Sequence, residues 1–147
     1  MSKSGRYSAD RKKVQAITAA YTVTVADCGT IFTLPGGTDG YNITLPSIAA
    51  AGNGWWCKFV LLADKGLNAQ LIAAASGDED KIIASIYGGL DDNSQADNVL
   101  SDAAADAVRI PASNAKAGDC IEFICLGDKW YAQAFSAGAD VAIDVTT

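Results

Sequence analysis

Near its C-terminus the chain reads Ala117-Gly-Asp-Cys-Ile-Glu-Phe-Ile-Cys-Leu-Gly-Asp-Lys-Trp-Tyr-Ala-Gln-Ala-Phe-Ser136. Two apolar-rich runs flank the pair Gly127-Asp128, and such a pair is typical of the tight primed turns that close β-hairpins. A two-residue loop places Cys125 opposite Trp130 and Phe123 opposite Ala132. The segment therefore predicts a β-hairpin with a defined register.

Side chains of paired strand residues share a face of the sheet, so this register divides the hairpin into two surfaces. One surface is almost wholly apolar and is predicted to face the core; its residues are Ile121, Phe123, Cys125, Trp130, Ala132 and Ala134. The other surface mixes polar and apolar groups, and its residues are Glu122, Ile124, Leu126, Lys129, Tyr131 and Gln133. A mixed surface of this kind is typical of a subunit interface.

Upstream of the hairpin, short alternating segments separated by Gly, Pro, Asn and Asp predict further strands. They cover residues 21–25, 30–34, 41–45, 55–62, 69–73, 81–87 and 108–110, and residues 140–145 could add an edge strand. Trp55, Cys57, Phe59 and Leu61 alternate with Trp56, Lys58, Val60 and Leu62. Since both faces of this segment are largely apolar, it is predicted to be central in the fold or to meet a partner. The pattern indicates an all-β fold, a single antiparallel β-sandwich, jelly roll or barrel.

The charges are distributed unevenly along the 147 residues. Five of the eleven basic residues lie in the first thirteen positions, with one acidic residue there, Asp10. The remainder keeps six basic against sixteen acidic residues, a net charge of −10. We interpret residues 1–16 as an extended basic arm and residues 17–147 as one β domain. Within that domain, residues 88–107 predict a long acidic loop, with a short helix near residues 97–105.

Composition argues against several classes of function. The chain has no histidine, so no imidazole can serve as a catalytic base, and no phosphate-binding or dinucleotide motif is present. We therefore expect no enzyme, no cofactor and no metal site. An acidic body should not bind nucleic acid, and no apolar run is long enough to cross a membrane. The polar N-terminus predicts no signal peptide, so we expect synthesis in the host cytoplasm with four reduced cysteines.

Four segments in order resemble a known family. They are Tyr21-Thr-Val-Thr-Val-Ala-Asp-Cys-Gly-Thr-Ile-Phe-Thr-Leu34, Tyr41-Asn-Ile-Thr-Leu-Pro46, Gly54-Trp-Trp-Cys-Lys-Phe-Val-Leu61 and the hairpin from Ala117 to Tyr131. Together they resemble a β-module of tailed-bacteriophage virion proteins, found in capsid decoration (cement) proteins and in tail-fibre segments. The resemblance covers about residues 18–62 and 117–136, and it carries no catalytic residues.

The resemblance implies a virion structural protein that binds the outer capsid surface, with the major capsid protein as partner and a homotrimer as the common assembly. The alternative is a tail-associated adhesion module that recognises host surface glycans. The absence of a long shaft or heptad segment favours decoration. The candidate interface residues are Lys3, Arg6, Arg11, Lys12, Lys13, Trp56, Ile124, Leu126 and Tyr131. Sheet order and the surface that meets the capsid stay open at this stage.

Overall fold

The computed structural model describes residues 12–37, 39–88, 98–100, 105–137 and 143–146. These residues form a small all-β domain, as the sequence predicts. Its strands are β1 (Lys13–Ala16), β2 (Tyr21–Thr22), β3 (Thr30–Leu34), β4 (Asn42–Thr44), β5 (Trp56–Leu61), β6 (Gln70–Ala73), β7 (Ile82–Tyr87), β8 (Asn98–Leu100), β9 (Ala107–Ile110), β10 (Cys120–Leu126), β11 (Lys129–Phe135) and β12 (Asp144–Thr146). A 3₁₀ helix (Val25–Asp27) and a short helix, α1 (Ile48–Ala51), lie between strands.

Two sheets contain these strands. The larger sheet has the order β1-β3-β5-β10-β11-β7-β8, and the smaller has the order β12-β9-β6-β4-β2. The segment with two apolar faces, β5, lies between β3 and β10 in the larger sheet, which confirms its predicted central position.

Strand pairing is mixed, which corrects the expectation of an antiparallel sandwich. β1, β3 and β5 pair in parallel in the larger sheet, while β2, β4 and β6 pair in parallel in the smaller one. From β1 to β6 the chain thus alternates between the sheets and winds through three successive coils. Parallel neighbours need a crossover connection, and here each crossover contains a strand of the other sheet. β7 and β11 are also parallel.

The hairpin has the predicted register. Leu126 pairs with Lys129, Cys125 with Trp130 and Phe123 with Ala132. Gly127, the first loop residue, has a φ of 63°, which is the left-handed value that a type II′ turn requires at that position. The correct register follows from local chemistry, because a two-residue loop fixes which residues face each other.

One continuous core lies between the sheets. The predicted core face of the hairpin is buried, with Phe123, Cys125 and Trp130 each 0% exposed. Trp55 packs edge-to-face on Trp130 at 5.4 Å between ring centroids, so both tryptophans lie in the core as predicted. The smaller sheet closes the core from the other side; for example, the Tyr21 ring on β2 lies 5.8 Å from the Phe32 ring on β3.

The predictions for the N-terminal arm and for the acidic loop need correction, and the C-terminal edge strand is found as predicted. The end of the predicted arm forms β1, at the edge of the larger sheet, and residues 1–11 lie outside the described residues. Inside the predicted loop and helix, residues 98–100 form β8, because the edge of β7 offers backbone partners that outweigh local helix propensity. The rest of that loop from 89 to 104 is outside the described residues. Near the C-terminus, β12 is an edge strand beside β9, as the alternation predicts.

Candidate assembly surface

The larger sheet has one face in the core and one face directed outward. Along each central strand the inward residues are buried, and the residues between them are partly or fully exposed. We use the term outer face for the outward residues of β1, β3, β5, β10, β11 and β7. Strand register arranges the outer face of the central strands in three rows across the sheet.

The first row is apolar and runs from β5 to β7. Trp56 pairs with Ile124, Ile124 with Tyr131, and Tyr131 with Ile83. Tyr131 is 40% exposed, although it stands in the middle of a sheet row. All four residues carry large aromatic or branched side chains, and three of them, Trp56, Ile124 and Tyr131, are among the predicted interface residues.

The second apolar row lies four residues further along the strands, about 13 Å from the first. Val60 pairs with Cys120, Cys120 with Phe135, and Phe135 with Tyr87. The rings of Phe135 and Tyr87 stack at 5.2 Å with an interplanar angle of 16°. Both rings are accessible to solvent, with Phe135 54% exposed and Tyr87 43% exposed.

A polar row separates the two apolar rows. Lys58 pairs with Glu122, Glu122 with Gln133, and Gln133 with Ser85. Lys58 and Glu122 are therefore opposite charges on adjacent strands. Among the described acidic residues, only Glu122 points outward from a strand of this sheet, so the outer face lacks the acidic excess of the body.

The outer face of the smaller sheet has a different character. One of its rows runs Asn42, Leu71, Arg109 and Asp144. Arg109 donates from Nε to Asp144 Oδ1 at 2.7 Å, and this carboxylate raises the pKa of Arg109. An ion pair of this kind is compatible with solvent, which makes the larger sheet the better candidate for an assembly surface.

The structure describes six of the nine predicted interface residues. Lys12 Nζ lies 4.5 Å from the centroid of the Trp56 ring, a cation–π geometry. Lys12 thus joins the first row beside Trp56, Ile124 and Tyr131, and Leu126 follows two residues further along β10, 45% exposed. Five of the predicted residues therefore share one surface.

One described candidate, Lys13, does not join that surface. Lys13 points to the opposite side of β1, where its Nζ donates to Asp27 Oδ1 at 2.8 Å. Its charge is therefore used within the chain. Lys3, Arg6 and Arg11 lie outside the described residues, so their predicted role stays a prediction.

Sequence reasoning missed Phe135, Tyr87 and Ile83. Phe135 could have been found, because it continues the alternation of Tyr131 and Gln133 by two residues on the same strand. Tyr87 and Ile83 could not, since they reach the outer face through the parallel pairing of β7 with β11. That pairing joins segments more than forty residues apart and leaves no local sequence signal.

Three buried carboxylates join loops to strands. Asp27 accepts from Lys13 and from the Thr24 backbone N–H, and Asp78 accepts from the Ile48 N–H at 2.7 Å. Burial raises the pKa of both acids, but the hydrogen bonds and the nearby lysines outweigh it, so each pKa lies below its ordinary value. Asp119 accepts from Ser136 Oγ and the Ala137 N–H, which ties the ends of the hairpin together. We assign these acids structural roles.

The remaining potentially reactive groups of the described residues are the four cysteines and the buried Lys65. All four cysteines are free thiols, and burial raises the pKa of Cys57 and Cys125. Lys65 is 4% exposed and donates to the Asp39 carbonyl; burial lowers its pKa. Within the described ranges, no three His, Cys, Asp or Glu residues are grouped as metal ligands, and no helix combines the length and hydropathy needed to cross a membrane.

Comparison of the chain with protein-family models, with curated proteins and with solved structures gives no match. The resemblance to the phage virion module therefore rests on the sequence segments alone.

Proposed function

We propose that this chain is a structural protein of a tailed-bacteriophage virion that binds the outer capsid surface as a symmetric oligomer, most simply a trimer. The outer face of the larger sheet is the observation that carries the oligomeric part of the proposal. Its two apolar rows form a broad surface of the kind that marks a contact with other protein. The four segments that resemble the virion module supply the biological setting.

The proposed mechanism is binding and contains no catalytic step. Closed symmetric oligomers present the same surface several times, so each copy needs only a modest contact with the capsid protein. Once one contact forms, the others become intramolecular, and the combined affinity greatly exceeds that of one contact. A shell bridged in this way resists the internal pressure of packaged DNA.

The rigid framework supports such a role. The outer rows stand on strands whose opposite sides fill the core, for example Tyr131 beside the buried Trp130 and Ala132. Side chains held on a packed sheet lose little conformational entropy on binding. The side chains of the outer face therefore hold defined positions before a partner binds.

Copy number tests the proposal. Quantitative mass spectrometry of purified particles should find on the order of hundreds of copies per particle, as expected of a protein repeated over a symmetric shell. In addition, the purified protein should co-sediment with particles stripped of it and raise the temperature at which they release DNA. A copy number of only a few, or failure to bind stripped particles, would contradict the proposal.

A tail-associated adhesin is the second candidate, and the exposed Phe135–Tyr87 stack favours it. Exposed aromatic rings flanked by polar groups such as Gln133 and Ser85 suit stacking on sugar rings. Binding on a glycan array that is lost in Phe135→Ala, combined with few copies per particle, would support this candidate over capsid decoration.

A further inference from the structure

We propose that the outer face of the larger sheet is the contact between copies of this chain. This inference rests on the proposed function, because it names the partner at the same surface. It assigns self-association to the outer face. The contact with the capsid protein would then be made by another surface of the oligomer. Three observations carry it.

The first observation is the extent of the outer face, on which two apolar rows flank one polar row. Five neighbouring strands at about 4.8 Å and three rows at about 6.6 Å give a flat footprint of roughly 24 by 20 Å, on the order of 500 Å². Val14 and Leu126, 62% and 45% exposed, extend it on either side. A standard interface buries about 800 Å² per partner, so this face supplies most of what a stable contact between two copies needs.

The second observation is the charge of the face. The body of each copy carries a net charge of −10, so two copies repel each other wherever their acidic surfaces meet. On the outer face the charged groups are Lys58, Glu122 and Lys129, with Lys12 above Trp56. The acidic excess is therefore absent from this face. The neighbouring Lys58 and Glu122 allow the polar row of one copy to pair with that of another.

The third observation is the strand arrangement. Parallel strands are normally covered on both faces. β3 and β5 are parallel and have their inner face in the core, yet their outer residues Ile31, Trp56 and Val60 are only partly buried. Neighbouring copies of this chain placed against this face would cover it further, with a surface that lacks the acidic excess of the body.

Sedimentation equilibrium of the purified full-length protein tests the inference. Wild-type protein should self-associate, and Tyr131→Asp and Phe135→Asp should each raise the dissociation constant at least roughly thirtyfold, the loss typical of a central interface residue. Leu67→Asp is the matched control, because Leu67 is 77% exposed and lies outside both sheets. It should leave the dissociation constant unchanged.

A charge exchange gives a second readout that does not depend on the aromatic residues. Lys58→Glu should weaken self-association, since it leaves the polar row with two acidic residues and no basic one. Adding Glu122→Lys to that variant restores one charge of each sign and should recover most of the lost affinity. Circular dichroism of each variant checks that the fold is intact.

The outcomes separate the inference from the proposed function. Monomeric wild-type protein, or oligomers that survive both aromatic substitutions, would overturn the inference even if the protein binds stripped particles. Self-association through this face without particle binding would support the inference and contradict the capsid proposal. If the face variants stay as assembled as wild type but lose only capsid binding, the occupant is the capsid protein and the inference is wrong.

Discussion

Replacing Gly36 with alanine probes how closely the successive coils pack. Gly36 follows β3, and a Cβ at this position would lie 2.3 Å from the Ala63 carbonyl oxygen, in the loop after β5. Gly37 provides a matched control, because its φ of 77° is close to the 72° of Gly36 and a Cβ there meets nothing within 4 Å. The two substitutions share the same backbone strain and differ only in the steric clash.

The magnitudes follow from these geometries. A side chain in the left-handed region costs about 1–2 kcal/mol, and the more restricted unfolded chain offsets about 0.4–1 kcal/mol of this. Gly37→Ala should therefore lower the free energy of unfolding by about 1 kcal/mol. In Gly36→Ala the backbones must also separate, and overpacking of this kind costs a further 1–3 kcal/mol, approximately. The total loss should be about 2–4 kcal/mol.

Urea unfolding followed by tryptophan fluorescence measures the difference. With a slope of about 2 kcal/mol per molar urea, the midpoints of the two variants should differ by roughly 0.5–1.5 M. Equal midpoints would show that the loops can separate freely, and a lower midpoint for Gly37→Ala would contradict the steric argument altogether.

Three further predictions concern the buried acids and the arm. Asp78→Ala should cost about 1–3 kcal/mol in the free energy of unfolding, because it leaves the buried Ile48 N–H without its acceptor, whereas Glu79→Ala, at an exposed position, should cost little. Because the folded-state pKa values of Asp27 and Asp78 are lowered, their contribution to stability is complete above about pH 4 and is lost as the pH falls further. The thermal midpoint should drop across that acid range, and Asp27→Asn should flatten the drop; an unchanged acid limb in that variant would refute the assignment. Deleting residues 2–11, which spares β1, should weaken assembly in sedimentation equilibrium but leave the thermal midpoint unchanged at concentrations where both proteins are monomeric. An unaltered dissociation constant would contradict a role for the arm.

Part of the outer face, the candidate assembly surface, could be predicted from the sequence. Ile124, Leu126 and Tyr131 follow from the hairpin register, and Trp56 follows from the alternation along β5. These inferences succeed because consecutive residues of a strand point to opposite faces, whatever the neighbouring strands are. The same reasoning could not order the strands across the sheet, so it could not show that these residues form one row.

The basic arm shows where charge counting is insufficient. Lys12 and Lys13 look equivalent in the sequence, but one lies over Trp56 and the other donates to Asp27. Their separation follows from β1, whose pairing with β3 sends adjacent side chains to opposite sides. Only the position of that edge strand distinguishes a lysine of the outer face from one that stabilises the domain.

The sequence alone determined the all-β class, the hairpin with its turn at Gly127, and the core positions of Phe123 and Trp130, because turn chemistry and two-residue alternation act locally. The tertiary structure decided the parallel coils, the stack of Tyr87 on Phe135, and the separation of polar and apolar rows on the outer face. Alternation is the same in parallel and antiparallel strands, so it cannot specify a partner strand. The pairing of strands depends on how distant segments of the chain fill one core. This pairing brings the exposed aromatic residues Tyr87 and Phe135 together.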